Sequence, residues 1–589
     1  MKTIKYLALV SLASFTLASC GDFGDTNIDL EHLNEGNVSY PMLFSSAQHQ
    51  ALGSDWDMWR TGCIYSAQWT QQLSSIDWWD WYGRYEWSDD YSASFWNTFS
   101  GTRGALLNVT TCYDIWKNQE NMKLDWNIAR VMRIFAFAKM SDLYGDIPYS
   151  EAGRPREYSY PKYDKQEDIY ASMLAELDEA QANLGSGTAA MGSQDLYFDG
   201  DASKWKKFAN SLMLRLAMRL VKVKPELAKQ YAAKAVANGV MTSNDDNCKL
   251  NHSGASTSND SSEPFAKINA HEDREFYMAK TFVDMLKNSQ DPRLCLIATV
   301  APTADGKQYT DVQKNSSGLW SAADYGNMAF ASQDGMPVGG YNNVSTSNYF
   351  VGKVDSRFND ADFLANYGAY FSSPNRCTYC DPAAPTFVVT YAQTCLLEAE
   401  AAYRGYISGD PATYYNAGVK AAFEQFSQFP QYASALAALN EDPTVGLGAG
   451  ATLADYADKY LAAHPFNSAT ALEQINTQYY ITTFGDPHEV FSNWRRSGYP
   501  VLQVAPMAAL DGQSASVGIP RRFRYPTKES QVNATNCLYV TPVLGCIFHS
   551  ASLKYYEVYR GEENRLCLRH LVANAWTRRR HHYITASET

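Results

Sequence analysis

A mainly α fold, antiparallel helix pairs with one irregular, loop-rich part, is what this sequence predicts. Three observations carry it. Apolar residues recur at helical spacing from about Tyr40 to Val240 and again after Pro385. Several of these stretches have capping residues at one end and Gly or Pro at the other. Between about Cys295 and Asn375 the pattern breaks, and Gly, Ser, Asn and Asp become frequent among scattered aromatics. No clean repeat period is visible, so the helical-repeat scaffold rests on helix pairing alone.

The chain opens with Lys2 and Lys5, followed by the apolar run Tyr6 to Thr16. That run is too short to span a bilayer and fits the core of a secretory signal peptide, residues 1–19. Leu17-Ala18-Ser19-Cys20 then forms a lipobox, in which Cys20 is the lipid-attachment residue and the body that follows is tethered by acyl chains. Asp22 just beyond it is compatible with surface display.

The helices follow in order. Ile128, Val131, Met132 and Phe135 share one face. Ile169, Met173 and Leu177 make a second, extended by Ala180 and Leu184, with Asp164 as cap, Glu167 in capping-box position and Gly185 as terminator. Ser203 is placed to cap a third helix carrying Trp205, Phe208, Leu212 and Leu216. Pro225 to Val240 gives a fourth, and about Glu272 to Lys287 a fifth. Past the irregular part, helices are expected at Pro385 to Tyr406, Pro411 to Phe426 and Ala471 to Thr483. Asp442 to Ala451 is Gly-rich and reads as a loop. A long irregular insertion in a helical body is more often functional than decorative.

Composition narrows the function. The net charge of −13 argues against nucleic acid as a partner. Aromatics make up 14% of the chain, with 40 Tyr and 14 Trp. Their apolar faces and polar tips suit wet, partly apolar ligands. Eleven cysteines show no regular framework. Cys377-Thr378-Tyr379-Cys380 lacks the second ligand pair a zinc site needs, and reads as a local disulfide or two free thiols. No metal or other cofactor is expected. Adjacent acids, Asp89-Asp90 and Asp245-Asp246, read as solvated turns rather than glycosidase carboxylates. No nucleophile elbow, phosphate loop or HExxH motif is present.

The segment Trp205-Lys206-Lys207-Phe208-Ala209-Asn210-Ser211-Leu212, running on to Arg215-Leu216-Ala217-Met218-Arg219, resembles the signature helix of the SusD/RagB family of outer-membrane nutrient-binding lipoproteins. Further stretches resemble that family in its own order: Asp142-Leu143-Tyr144-Gly145-Asp146-Ile147-Pro148-Tyr149, Leu397-Glu398-Ala399-Glu400-Ala401 with Arg404-Gly405, Ile475 to Tyr479, Trp494 to Pro500, and Pro520 to Pro526 with Glu529, Asn533 and Asn536. The resemblance covers residues 20–536. It implies a superhelix of tetratricopeptide-like helix pairs packed on a more irregular part, and no catalysis. It implies a lipid-anchored protein of the outer membrane that binds oligosaccharide, or in some members peptide, and acts as a lid on a SusC-like TonB-dependent β-barrel transporter. An exported glycoside hydrolase is the enzymatic alternative.

The end of the chain departs from that pattern. Residues 537–589 carry three cysteines and four of the ten histidines, end in Arg578-Arg579-Arg580-His581-His582 and seven more residues, and are net basic. They read as the product of a frameshift; a metal- or polyanion-binding tail is the functional alternative.

The densest aromatic run is Ile76-Asp77-Trp78-Trp79-Asp80-Trp81-Tyr82-Gly83-Arg84-Tyr85-Glu86-Trp87. Sugar rings stack their C–H faces on indoles and phenols, and their hydroxyls need fixed donors and acceptors alongside. Trp78, Trp79, Trp81, Tyr82 and Arg84 are therefore the candidate ligand residues, with Arg84 as the fork-shaped donor and Asp77, Asp80 and Glu86 as acceptors. Alternate spacing of Trp79 and Trp81 would leave one side exposed and the other in the core. Trp320 and Tyr325 form a second candidate surface in the irregular insertion, with Tyr341 and Tyr349 behind them.

Overall fold

A computed structural model describes residues 38–537 apart from 76–78, 102–103, 256–260, 271–275, 301–325, 340–355, 360–369 and 506–517. Cys20, Trp78, Trp320, Tyr325, Tyr341, Tyr349 and the tail from residue 538 lie outside the described residues.

The principal helices are α1 (Tyr40–Ala51), α2 (Ala105–Trp116), α3 (Lys123–Tyr144), α4 (Gln166–Ala182), α5 (Ala202–Arg219), α6 (Pro225–Asn238), α7 (Tyr391–Tyr403), α8 (Pro411–Glu424), α9 (Leu453–Ala463), α10 (Ala471–Thr482) and α11 (Pro487–Ser497). From α1 to α6 each packs on the next. Helix α5 then passes the stack to α7, which packs on α8 and α10; α8 holds α9, and α10 holds α11. This is the expected array of helix pairs. Helix α3 is buried nearly all round because α2, α4, α5 and α11 cover it, so its apolar positions exceed a single stripe.

Besides shorter helices, the described residues form three two-stranded antiparallel sheets: β1 (Leu73–Ser75) with β3 (Phe276–Met278), β2 (Cys248–Leu250) with β6 (Thr386–Val389), and β4 (Ala298–Val300) with β5 (Ser372–Pro374). Strands β4 and β5 open and close the irregular insertion, so its two ends are tied to each other.

Four local expectations are corrected. The fifth helix starts at Lys280, not near Glu272, because Phe276 to Met278 pair with β1 instead. Likewise Thr386-Phe387-Val388-Val389, rich in β-branched residues, forms β6, and the helix begins only at Tyr391 behind the Thr390–Gln393 capping box. Asp164 does not cap α4: its carboxylate is taken by the Tyr149 and Ser150 backbone N–H groups at 3.1 and 2.7 Å, and Gly185 lies three residues beyond the helix end. Asp201, not Ser203, caps α5, accepting from the Ser203 and Lys204 N–H groups. Cys377 and Cys380 are buried free thiols, the Cys377 thiol pushed up to about 12 by burial.

The motifs that carry the resemblance turn out to be internal ties. The Glu400 carboxylate on α7 accepts from both Arg496 terminal nitrogens, at 2.7 and 2.8 Å, and from Arg404 Nε at 2.8 Å. Glu489 on α11 accepts from Arg219 at 2.5 Å and Tyr479 at 2.7 Å, with Arg215 3.5 Å away. Burial alone would raise both carboxyls, but the arginines outweigh it and hold each at about 2. Gly145, with φ +87°, ends α3 in a conformation that favours glycine, and Tyr525 O–H donates to Asp146 C=O there at 2.6 Å. Phe523 in the same closing segment is fully buried among Tyr65, Trp69, Trp87, Tyr144 and Phe491.

Candidate functional site

A cluster of contacting aromatic rings, with the exposed Trp56 at its edge, lies where a π-helical segment, Met58–Ala67, meets the loop after β1. Such helices are rare and often occur at functional sites. A short helix, Asp55–Asp57, leads into it. Its start is held by a capping box: the Asp57 carboxylate accepts from the Ser54 N–H, and Ser54 Oγ accepts from the Asp57 N–H. Asp57 also accepts from Ser94 Oγ at 2.9 Å and Thr98 Oγ1 at 3.0 Å. This buried anchor fixes the residue beside it, Trp56, which is 56% exposed.

Trp59 follows at i+3, on the same helix face, its ring 5.3 Å from Trp56. Trp79 meets Trp59 edge to face at 4.8 Å, and Tyr91 touches Trp59 at 5.9 Å and Trp79 at 5.2 Å. The four rings form a continuous surface with Trp56 at its outer end. Arg60 lies among them: its guanidinium carbon is 4.9 Å from the Trp56 ring centroid, 5.2 Å from Tyr91 and 5.8 Å from Trp59. Asp90 faces it at 3.8 Å from the exposed side, beyond hydrogen-bond distance.

The loop is seated from below. Gln68 donates to Trp79 C=O at 3.0 Å, Trp69 Nε1 donates to Tyr82 C=O at 3.2 Å, and Tyr65 O–H accepts from the Ser88 N–H at 3.0 Å. Tyr85 adopts φ +71°, unusual for a residue with a side chain, and its buried hydroxyl accepts from the Ala505 N–H at 2.9 Å. Gly83 packs directly on Val338 and Gly339 of the irregular part: a Cβ at Gly83 would lie 3.0 Å from both. The aromatic loop and the irregular insertion thus share one side of the molecule.

Of the residues singled out from sequence, Trp79 is in the ring cluster. Tyr82 is half-buried, its ring between Tyr65 and Tyr91 at 5.1 and 5.8 Å. Burial pushes its phenol up, with Tyr91, Glu86 and Asp90 adding to the shift. Trp81 and Arg84 keep company with each other at 6.0 Å, and Arg84 Cγ packs against Gly339. The alternating exposure expected for Trp79 and Trp81 does not apply, because Asp80–Gly83 is a helical turn rather than an extended strand. Trp56, Trp59, Arg60 and Tyr91 were not singled out. The signal for the first three was present as a Trp-x-x-Trp-Arg pattern behind Ser54, an i, i+3, i+4 set on one helix face.

The paired acids have structural posts: Asp89 accepts from the Thr527 N–H at 3.0 Å, and Asp246 holds Lys207 Nζ and the Thr242 N–H at 2.8 Å each. Among the described residues no cluster of three or more His, Cys, Asp or Glu is placed to hold a metal, and no helix is long and apolar enough to cross a membrane.

An array of helix pairs tied by buried ion pairs such as Glu400–Arg496 and Glu489–Arg219, with a cluster of aromatic rings beside a loop-rich part, has the form of a ligand-binding scaffold. The chain belongs to the SusD-like family, described as starch-binding and associating with the outer membrane, whose model matches residues 37–526. Among solved structures it is similar to a chitin-binding protein, at 28% identity and TM-score 0.66 over 85% of this chain and 95% of that one. It is similar also to the Bacteroidetes AC2a SusD-like protein, at 25% identity and TM-score 0.67 over 85% and 96%. A SusD homolog from Bacteroides ovatus, at 22% identity and TM-score 0.61 over 85% and 95%, shares the fold. No curated protein matches the chain. Carbohydrate binding at the outer membrane is thus the character of the family, which is described by binding and not by a reaction.

Proposed function

We propose that this protein binds oligosaccharide on the surface made by Trp56, Trp59, Trp79 and Tyr91 and passes it to a SusC-like TonB-dependent transporter, as a lipoprotein anchored through Cys20. The observation that carries the reading is Trp56, a large indole held half in water by a buried cap. Leaving such a ring exposed forfeits burial free energy of roughly 1.5–3 kcal/mol, which a stacked sugar face would recover. The family's description and the chitin-binding neighbour support the ligand class. Transporter delivery and the anchor rest on the family resemblance and on the lipobox at Leu17 to Cys20. Peptide capture would call for backbone pairing, and this surface offers rings rather than a strand edge.

The test is calorimetric titration of the purified protein with neutral and acidic oligosaccharides of plant, host and microbial origin, with a peptide mixture alongside. Binding of a glycan that weakens at least ~10-fold in Trp56→Ala is expected, a loss of at least about 1.4 kcal/mol. Binding that survives unchanged in both Trp56→Ala and Trp59→Ala would remove this surface from the function.

A further inference from the structure

We infer that the ligand of this surface carries a carboxylate, as a uronic-acid glycan does, and that Arg60 is the residue that selects it. The inference rests on the glycan-binding reading above and concerns which glycan.

The Arg60 side chain is three-quarters buried, 25% exposed, among the rings of Trp56, Trp59 and Tyr91. Its Nε is buried and has no hydrogen-bond acceptor among the described residues. Removing a donor from water without a partner is unfavourable, and more so for a charged group. Cation–π contact with three rings offsets part of this but supplies no acceptor. The carboxylate paired with it among the described residues, Asp90, stands 3.8 Å from one terminal nitrogen with its own side chain 77% exposed, so it forms a loose, water-screened pair rather than a fork-to-fork bond. Lys267, the neighbouring cation, is already held by Asp55 at 2.9 Å. Asp57 is committed to Ser54, Ser94 and Thr98, and Asp89 to Thr527. Among the described residues the guanidinium makes no hydrogen bond beyond the loose contact with Asp90, and because its Nε is sealed from solvent a ligand would meet it through the terminal nitrogens, beside the most exposed indole of the surface.

The edge those nitrogens form matches a carboxylate in shape and charge, two parallel N–H···O bonds with neutralisation of the partly desolvated cation. A pyranose stacked on Trp56 carries its C5 substituent at the ring margin. In a uronate that substituent is the carboxylate. A neutral hydroxymethyl or acetamido group would accept one bond but leave the charge uncompensated. The acidic balance of the whole protein, −13, does not oppose this at contact range, since charges beyond about 8 Å are largely screened at physiological salt.

The experiment compares oligouronates of several backbones (galacturonate, guluronate, glucuronate-bearing) with their methyl esters, in which the same sugars lack the charge, and with chito- and other neutral oligosaccharides. The expected result is an acid form that binds at least ~10-fold tighter than its ester, a preference that shrinks with added salt, and a loss of roughly 10- to 150-fold in Arg60→Gln. Arg60→Lys retains the charge but not the fork and should fall between. Thermal unfolding of both variants checks that the fold is kept. Equal binding of acid and ester, or a preference for acid that Arg60→Gln leaves intact, overturns the assignment. Binding confined to neutral or acetamido glycans and lost in Trp56→Ala overturns it while leaving the glycan surface standing; binding of no glycan at all overturns both.

Discussion

Glu400 and Arg496 come from two separate sequence motifs, and their contact can be broken one atom at a time. In Glu400→Gln the shape is kept and the charge removed, leaving Arg496, whose side chain is 3% exposed, without its counter-ion. The Glu400 carboxyl lies at about 2 in the folded protein, against 4.5 for the free side chain. At about 1.4 kcal/mol per unit, the ionised group contributes about 3 kcal/mol at neutral pH. Removal of one partner from a buried pair independently costs roughly 3–5 kcal/mol. The sign follows from the depressed value. The contribution is complete above 4.5, where the unfolded chain is also ionised, and is lost as pH falls through about 2. At pH 3 roughly 1 kcal/mol remains. Urea unfolding followed by tryptophan fluorescence, at pH 7 and at pH 3, should give a gap between the wild type and Glu400→Gln of about 3 kcal/mol that narrows to about 1. Arg496→Met should cost a similar amount, and the double substitution less than the sum of the two singles, since the sites share one interaction. A gap that is the same at both pH values, or two single costs that simply add, would refute the claim that the motifs meet as a working ion pair.

Three further outcomes are expected. Glu263 is buried, its carboxyl pushed up to about 8 by that burial, so the folded protein keeps it neutral while the unfolded chain ionises above 4.5. Glu263→Gln should therefore stabilise the protein at pH 7 by up to about 3 kcal/mol and have no such effect below pH 4.5, as comparative unfolding at the two pH values would show; stabilisation that persists at pH 4 contradicts this. Asp57→Ala removes the cap and the Ser94 and Thr98 contacts behind Trp56; a loss of about 1–2 kcal/mol in unfolding free energy and several-fold weaker glycan binding should appear together, and unchanged affinity would mean that the cap does not position the indole. At Gly83 a Cβ would meet Gln68 Oε1 at 2.6 Å and the Gly339 backbone nitrogen at 3.0 Å. Gly83→Val should cost about 1–3 kcal/mol in thermal unfolding, and a neutral result would show that the loop and the insertion do not press on each other.

What was legible in the sequence is what depends on local physics. Helical spacing found α3, α4, α5, α6, α8 and α10, because each must turn an apolar face toward neighbours wherever those neighbours lie. The family motifs were legible for a related reason: Arg215, Glu400 and Arg496 are buried charges, and a buried charge tolerates only its matching partner. Those same residues are sealed from solvent and cannot be the ligand site.

The sequence by itself therefore determined the helical scaffold and, through its motifs, the family. Tertiary structure decided where strands replaced helix, since β1 and β3 come together from positions about 200 residues apart, and short pairings of that kind leave no periodic trace. It also decided which aromatics reach water. The aromatic run is dense enough to draw attention, yet the packing of Gly83 on Gly339 and of Tyr82 on Tyr65 leaves its described rings, Trp79, Trp81, Tyr82, Tyr85 and Trp87, buried or half-buried. Trp56, in a sparser stretch, is the ring left outside, because the Asp57 anchor holds its helix against the body. Exposure belongs to the assembled surface, and residue types along a chain state only what each side chain could do once placed.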